Sequence, residues 1–200
     1  MALMRAMAES LGKSPDFFDD RMAPDPYTRV KVIRYPAQTE EELDNNVGEE
    51  QGLGLHHDSG VLTLILQDAV PGLQVMSGDK LVNVKPMPGA YVVNLGEMLQ
   101  SATNGYFKAT KHQVMRPASG RQRISIAYFL NPRLDAKFEP IELPHALAAE
   151  AEGGQNLGSA MDPNDPVFAT FGANTLKIRM RAHPDVTAAY YADVDLTAQQ

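Results

Sequence analysis

No cysteine occurs among the 200 residues, and that single absence removes disulfide staples, zinc ribbons, iron–sulfur clusters and thiol nucleophiles together. Any metal must be held by histidine and carboxylate, and a reducing compartment suits the composition. Basic residues are outnumbered, 18 Lys and Arg against 25 Asp and Glu, for a formal net charge of -7. A non-specific grip on phosphates needs clustered cations, so neither DNA nor RNA is expected as a partner. No run approaches the roughly 20 consecutive apolar residues of a bilayer span, and the start lacks a basic segment followed by an apolar core. No membrane partner is expected, and a cytoplasmic location is the default.

What is present suffices for one folded unit: 44% of residues are hydrophobic and 22% charged, an ordinary balance for a chain of this length. Leu3, Met4, Met7 and Leu11 recur at helical spacing, and Gly12 follows as a C-terminal cap. Pro15, Pro24 and Pro26 mark a connecting segment, after which Arg29 to Tyr35 reads as a β-branched strand stopped by Pro36. The acidic stretch from Gln38 to Gln51 reads as a solvated loop. From Gly52 to Pro132 short strands alternate with turns: Gly54 to His57, Leu62 to Gln67, Leu73 to Met76, Leu81 to Val84, Ala90 to Leu95, Phe107 to Met115 and Ile124 to Phe129. Pro71-Gly72, Ser77-Gly78-Asp79, Pro88-Gly89, Asn104-Gly105 and Ser119-Gly120 punctuate them. About eight strands at this spacing predict a mainly β fold, a two-sheet jelly roll with flanking helices. A helix is expected around Ala146 to Glu152 and another between Pro166 and Ala192. The organisation anticipated is an N-terminal helix and connector over 1–28, a jelly-roll core over 29–135 and a helical extension over 136–200.

Chemistry concentrates at His56-His57-Asp58. Successive strand side chains alternate, so His56 and Asp58 share a face and can share one ligand, while His57 points away. His112, inside a later strand, is the candidate for a third ligand. Two imidazoles and one carboxylate leave open positions on a metal, an arrangement suited to oxygen chemistry at iron(II). A His-x-Asp triplet alone is common by chance; His57 reads as a packing or hydrogen-bonding residue, and His145 and His183 as structural. By the same alternation Arg123 and Ser125 project from one face, placing a guanidinium fork beside a hydroxyl. That pair suits a carboxylate, which Arg binds bidentately.

These blocks together, Leu55-His56-His57-Asp58 through Gln67-Asp68, Gly72-Leu73-Gln74-Val75, Val93-Asn94-Leu95-Gly96-Glu97, Lys108 to His112 and Arg123-Ile124-Ser125, resemble the isopenicillin N synthase-like family of iron(II)- and 2-oxoglutarate-dependent dioxygenases. The resemblance runs from about Tyr35 to Pro132, with a family-like tail at Thr175 to Tyr191. It implies that His56, Asp58 and His112 ligate iron(II), and that Arg123 and Ser125 bind the distal carboxylate of 2-oxoglutarate. It also implies that Tyr35, in Arg34-Tyr35-Pro36, contacts that cosubstrate near its metal-bound end. The implied reaction consumes dioxygen, converts 2-oxoglutarate to succinate and carbon dioxide, and oxidises a small organic molecule, chiefly by hydroxylation. The chain departs from the family pattern at Ile33, where Asn is frequent, and at His57, where Thr is common. It also reaches the tyrosine strand almost at once, which leads us to expect a short form or fragment with an apolar surface where a preceding segment would pack.

Rival readings stay open on the residues alone. Some members of that family dispense with 2-oxoglutarate and use Arg-x-Ser for the substrate's own carboxylate. The same His, Asp and His could hold zinc in a hydrolase or serve a metal-binding jelly-roll protein, since fold does not fix function. Neither of the latter roles requires a dedicated carboxylate receptor.

Overall fold

The computed structural model describes residues 1–40, 42, 51–117, 120–152, 168 and 170–194. Among them, eight strands form two antiparallel four-stranded sheets. The strands are β1 (Thr28–Tyr35), β2 (Gln51–His56), β3 (Leu62–Gln67), β4 (Leu73–Ser77), β5 (Lys80–Asn83), β6 (Val92–Leu95), β7 (His112–Met115) and β8 (Arg123–Leu130). One sheet runs β1-β8-β3-β6 and the other β2-β7-β4-β5. The jelly-roll architecture expected from strand spacing is therefore present.

Helices close one end. Helix α1 (Ala2–Ser10) buries Met4, Ala8 and the following Leu11, while Leu3 lies outside the stripe and is exposed. Its end is capped as its sequence predicts. The Lys13 N–H donates to the Ala8 carbonyl and the Gly12 N–H to that of Glu9, with Gly12 at φ +70°, a left-handed geometry that glycine adopts without steric cost. Helix α2 (Asp19–Met22) lies in the stretch read as a connector. Met4, Leu11, Phe18 and Met22 share one core with Val61 and Leu62 of the β3 region, Leu130 of β8 and Phe171. Each such side chain contributes about 1.5–3 kcal/mol on burial.

Several predicted boundaries shift for local reasons. The strand expected over Phe107 to Met115 is paired only from His112. Helix α3 (Glu97–Ala102), which the sequence did not suggest, supplies the cause: Gln100 Oε1 accepts the Ala109 N–H at 2.7 Å, and Thr103 Oγ1 accepts that of Phe107 at 3.1 Å. Those donors are thereby lost to a β-ladder. The helix expected near Ala146 is α4 (His145–Glu152). Beyond it come two helices rather than one, α5 (Phe171–Ala182) and α6 (Pro184–Tyr190). Pro184 has no N–H to continue the first and sits instead at the start of the second.

Most of the acidic stretch from Gln38 to Gln51 lies outside the described residues, as does the start of the helix expected from Pro166. Glu42 is described and is not simply solvated. Its carboxylate accepts two bonds from the Arg116 guanidinium, both 3.0 Å, and the Thr39 N–H at 2.7 Å, while Thr39 Oγ1 accepts the Glu42 N–H. This reciprocal pair is a capping box.

The outer face of the first sheet leaves Val30, Val32, Val93, Ile124 and Ile126 exposed, Val32 at 70%. Strand alternation puts them on the side opposite the cavity described below. Among the described residues, no helix is long and apolar enough to cross a membrane.

Candidate functional site

Between the two sheets lies a cavity of about 270 Å³. The first sheet lends its inward row from β1 (Arg29, Lys31, Ile33, Tyr35) and from β8 (Arg123, Ser125, Ala127, Phe129); the second contributes Leu53, His56, Leu73, His112 and Val114. The strand row of β8 alternates buried and exposed from Arg123 to Ala127, so the expectation that Arg123 and Ser125 share a face is met.

His56 and His112 are cross-strand partners in the β2–β7 ladder, with ring centroids 4.3 Å apart. Each donates from Nδ1 to a backbone carbonyl two residues earlier, Gly54 at 2.8 Å and Thr110 at 3.1 Å. A carbonyl can only accept, so Nδ1 carries the proton and the Nε2 lone pair is left free. Both Nε2 atoms lie 3.9 Å from Asp58 Oδ1. The other carboxylate oxygen, Oδ2, accepts from Thr63 Oγ1 and Asn94 Nδ2, each at 2.7 Å. Three ligand atoms, one from each of His56, Asp58 and His112, lie within 4.8 Å of one another. Burial holds the His112 imidazole below its ordinary pKa, against weaker opposing pulls from the Thr110 carbonyl and Asp58. The neutral, coordinating form is thereby favoured.

Strand alternation does not place Asp58. Strand β2 ends at His56, and Asp58 lies beyond it in a loop fixed by α3. Glu97 N–H donates to the Asp58 carbonyl at 2.8 Å and Met98 N–H to that of Gly60 at 3.2 Å. The first turn of the helix thus spends its unpaired donors on the loop that carries the carboxylate. His57 lines the cavity but stays outside the three-ligand cluster: its Nδ1 lies 3.3 Å from Glu97 Oε1, both side chains largely buried.

At the other part of the cavity Arg123 is fully buried. Its Nη2 donates to Gln67 Oε1 at 2.9 Å, and its Cζ lies 5.1 Å from the Tyr35 ring centre. Nε and Nη1 are buried with no hydrogen-bond partner. Asp68 is near enough to attract the guanidinium but forms no ion pair with it; its oxygens accept the backbone N–H groups of Val70 and Ile124, at 2.8 and 2.6 Å. Burial pushes Arg123 below its usual pKa, more than Tyr35 and Asp68 raise it. A buried cation with two idle donors is costly unless something fills the fork. Gly72 is required beside it, since a Cβ there would lie 2.8 Å from the Met115 carbonyl and 3.1 Å from Arg123 Cδ. Tyr35 is buried and lies against Arg123, at the same end of the cavity.

Sequence reasoning had no role for Thr63, Asn94 or Gln67, which orient Asp58 and Arg123, nor for Glu97. Thr63 and Gln67 share the inward-facing parity of β3 with Ile65, and polar residues at inward positions were the available signal.

Comparison with known proteins agrees with this geometry. Residues 27–132 match the model of the 2OG-Fe(II) oxygenase superfamily. A probable iron/ascorbate oxidoreductase of Dictyostelium discoideum is 37% identical over 150 residues, covering 70% of this chain and 41% of its own length. A homoarginine-6-hydroxylase of Oryza sativa subsp. japonica is 37% identical over 142 residues, covering 70% and 42%. The crystal structure of a full-length Neurospora crassa protein in complex with alpha-KG and thymine superposes with a TM-score of 0.71 at 27% identity, over 90% of this chain and 51% of that one. The chain thus spans about half the length of these relatives or less. The family match covers the strands that frame the cavity, and on it the chain belongs to the 2OG-Fe(II) oxygenase superfamily, the isopenicillin N synthase-like oxygenases.

Proposed function

We propose that the cavity is the active site of an iron(II)- and 2-oxoglutarate-dependent oxygenase that hydroxylates a small organic molecule, with His56, Asp58 and His112 as the metal ligands. The observation that carries this reading is the combination of two free imidazole lone pairs and a free carboxylate oxygen at one point with a buried guanidinium whose Nε and Nη1 lack partners in the same cavity. A metal alone would account for the first. An anion with a carboxylate-like fork accounts for the second as well, and a zinc hydrolase has no use for it.

Bound iron(II) and 2-oxoglutarate would supply the oxidising power, using dioxygen and releasing succinate and carbon dioxide. The chain's own residues bind and orient. Asp58 presents Oδ1 because Thr63 and Asn94 hold Oδ2. His56 and His112 present Nε2 because backbone carbonyls hold Nδ1. Such outer partners fix ring orientation and raise ligand basicity. Arg123, with the Ser125 hydroxyl and the Tyr35 ring on the same wall, receives the far carboxylate of the cosubstrate; Gln67 holds the guanidinium in place. Apolar walls from Ile33, Leu53, Leu73 and Val114 line the space beside these groups. Hydroxylation is the outcome proposed because a 37%-identical relative is a homoarginine-6-hydroxylase. A reducing compartment keeps iron divalent, so a cytoplasmic setting belongs to the same proposal.

Anaerobic titration with iron(II) and 2-oxoglutarate should produce a metal-to-ligand charge-transfer band, and admission of oxygen should yield succinate. Absence of both at saturating concentrations in folded protein would refute the reading.

A further inference from the structure

The cavity has a second cationic end that the cosubstrate leaves unused. Along β1 the inward positions are Tyr35, Ile33, Lys31 and Arg29. Tyr35 is paired with Arg123, whereas Arg29 is paired with Phe129 at the far end of the ladder. Six strand residues at about 3.4 Å each separate the two ends by roughly 20 Å. A cosubstrate anchored at Arg123 and chelated at the triad cannot also engage Arg29.

The Arg29 guanidinium lies 4.8 Å and the Lys31 ammonium 5.7 Å from the centre of the same Phe129 ring. Arg29 Nε is buried with no hydrogen-bond partner. Among the described residues no carboxylate forms an ion pair with Arg29, Lys31 or Arg179. Lys31 is exposed as a residue; the desolvation its ammonium does undergo, then repulsion from Arg29 and from Arg179 of α5, holds it below its ordinary pKa, and Asp58 pulls weakly the other way. In a chain of net charge -7, cations gathered on one cavity wall without counter-ions make a local field that attracts an anion. The space next to them has apolar walls from Ile33, Leu53, Ala127 and Phe129, with Thr63 and Asn131 as polar members of the same lining.

We propose that Arg29 and Lys31 bind the acid group of the primary substrate, which is an organic acid with an apolar body. The inference rests on reading the cavity as an oxygenase active site. It places the substrate's acid at the β1 start and its body along the apolar wall, where the positions near the triad are the ones oxidised.

The test compares acids with their neutral amides on the iron(II)- and 2-oxoglutarate-loaded protein without oxygen. The probe pairs are indole-3-acetate with indole-3-acetamide, 4-phenylbutyrate with 4-phenylbutanamide, and hexanoate with hexanamide, read by calorimetry and by perturbation of the charge-transfer band. At least one acid should bind roughly tenfold or more tightly than its amide, as expected for a charge-assisted contact. The double variant Arg29→Met, Lys31→Met should lose that preference while its 2-oxoglutarate affinity stays unchanged, and Lys31→Arg should keep it. Equal binding of acid and amide, binding of no acid at all, or a preference that survives in the folded double variant would overturn the proposal. If wild type gives no charge-transfer band, the oxygenase reading fails instead, and the same probe pairs on metal-free protein still report on Arg29 and Lys31 directly.

Discussion

Replacing Arg123 by Met tests the anion receptor most directly, because the structure fixes what the side chain has and lacks. In the apoprotein the guanidinium makes one bond to a neutral partner, Gln67, rests against Tyr35, and holds two buried donors idle. Met preserves much of the stem's volume and removes the charge. The apoprotein should therefore be at least as stable as wild type, since a buried cation without a counter-ion is eliminated. The cosubstrate tells the opposite story. A charge-assisted bond contributes about 1.5–3 kcal/mol, so 2-oxoglutarate affinity should fall about 10- to 100-fold. Iron(II) binding without cosubstrate should not change, as no metal ligand is touched. A second probe separates receptor loss from general damage: 2-oxobutyrate has the chelating 2-oxo acid but no distal carboxylate, so wild type and variant should bind it equally. The assay is anaerobic titration of the charge-transfer band alongside thermal melting of the apoprotein. Unchanged 2-oxoglutarate affinity, or an equal loss for 2-oxobutyrate, would refute the assignment of Arg123 as the carboxylate receptor.

Alanine at His56, Asp58 or His112 should each abolish iron(II) binding, while His57→Ala should retain it because that ring faces Glu97; equilibrium metal content of the four folded variants decides. Gly72→Ala puts a methyl against the Met115 carbonyl and Arg123 Cδ, so it should destabilise by about 1–3 kcal/mol and weaken 2-oxoglutarate binding without touching any ligand, read by melting and titration. Glu42 has its pKa lowered from 4.5 to about 2, first by the hydrogen bonds from Arg116 and then by the Thr39 N–H. A carboxylate with a depressed folded value contributes stability that is present above its unfolded pKa and lost as pH falls toward 2. Arg116→Gln should return the Glu42 pKa toward 4.5, measured by side-chain NMR titration, and should flatten the pH dependence of melting between those two values.

How far the site could be read from residues alone depended on whether each feature is local in the chain. His56 and Asp58 are two residues apart, and Arg123 and Ser125 likewise, so a rule about neighbouring side chains was enough to pair them. The first pairing held for a reason the rule does not contain, because Asp58 is set by the first turn of α3 and by Thr63 and Asn94 rather than by strand pleat. That α3 escaped notice follows from its shortness: six residues are below the length at which helical periodicity can be told from a buried strand. Non-local facts were beyond reasoning from neighbouring residues: His112 was joined to His56 and Asp58 only as a candidate and through the family resemblance. Nothing near His56 says that its ladder partner is His112, and nothing near Arg123 says that Asp68, the closest acid in charge terms, spends both oxygens on backbone donors.

The last of these facts bears on the proposed chemistry. Had Asp68 been free to pair with Arg123, the guanidinium would be a satisfied structural cation and the metal site could serve any Lewis-acid reaction. The bonds from Val70 and Ile124 hold the Asp68 carboxylate in an orientation in which it forms no ion pair with Arg123, and the guanidinium keeps Nε and Nη1 without partners in the cavity it shares with the triad. A carboxylate at Asp68 that could rotate toward Arg123 would compete with the cosubstrate. In the proposed anion site, the backbone bonds from Val70 and Ile124 thus set the position of the carboxylate nearest in charge to Arg123.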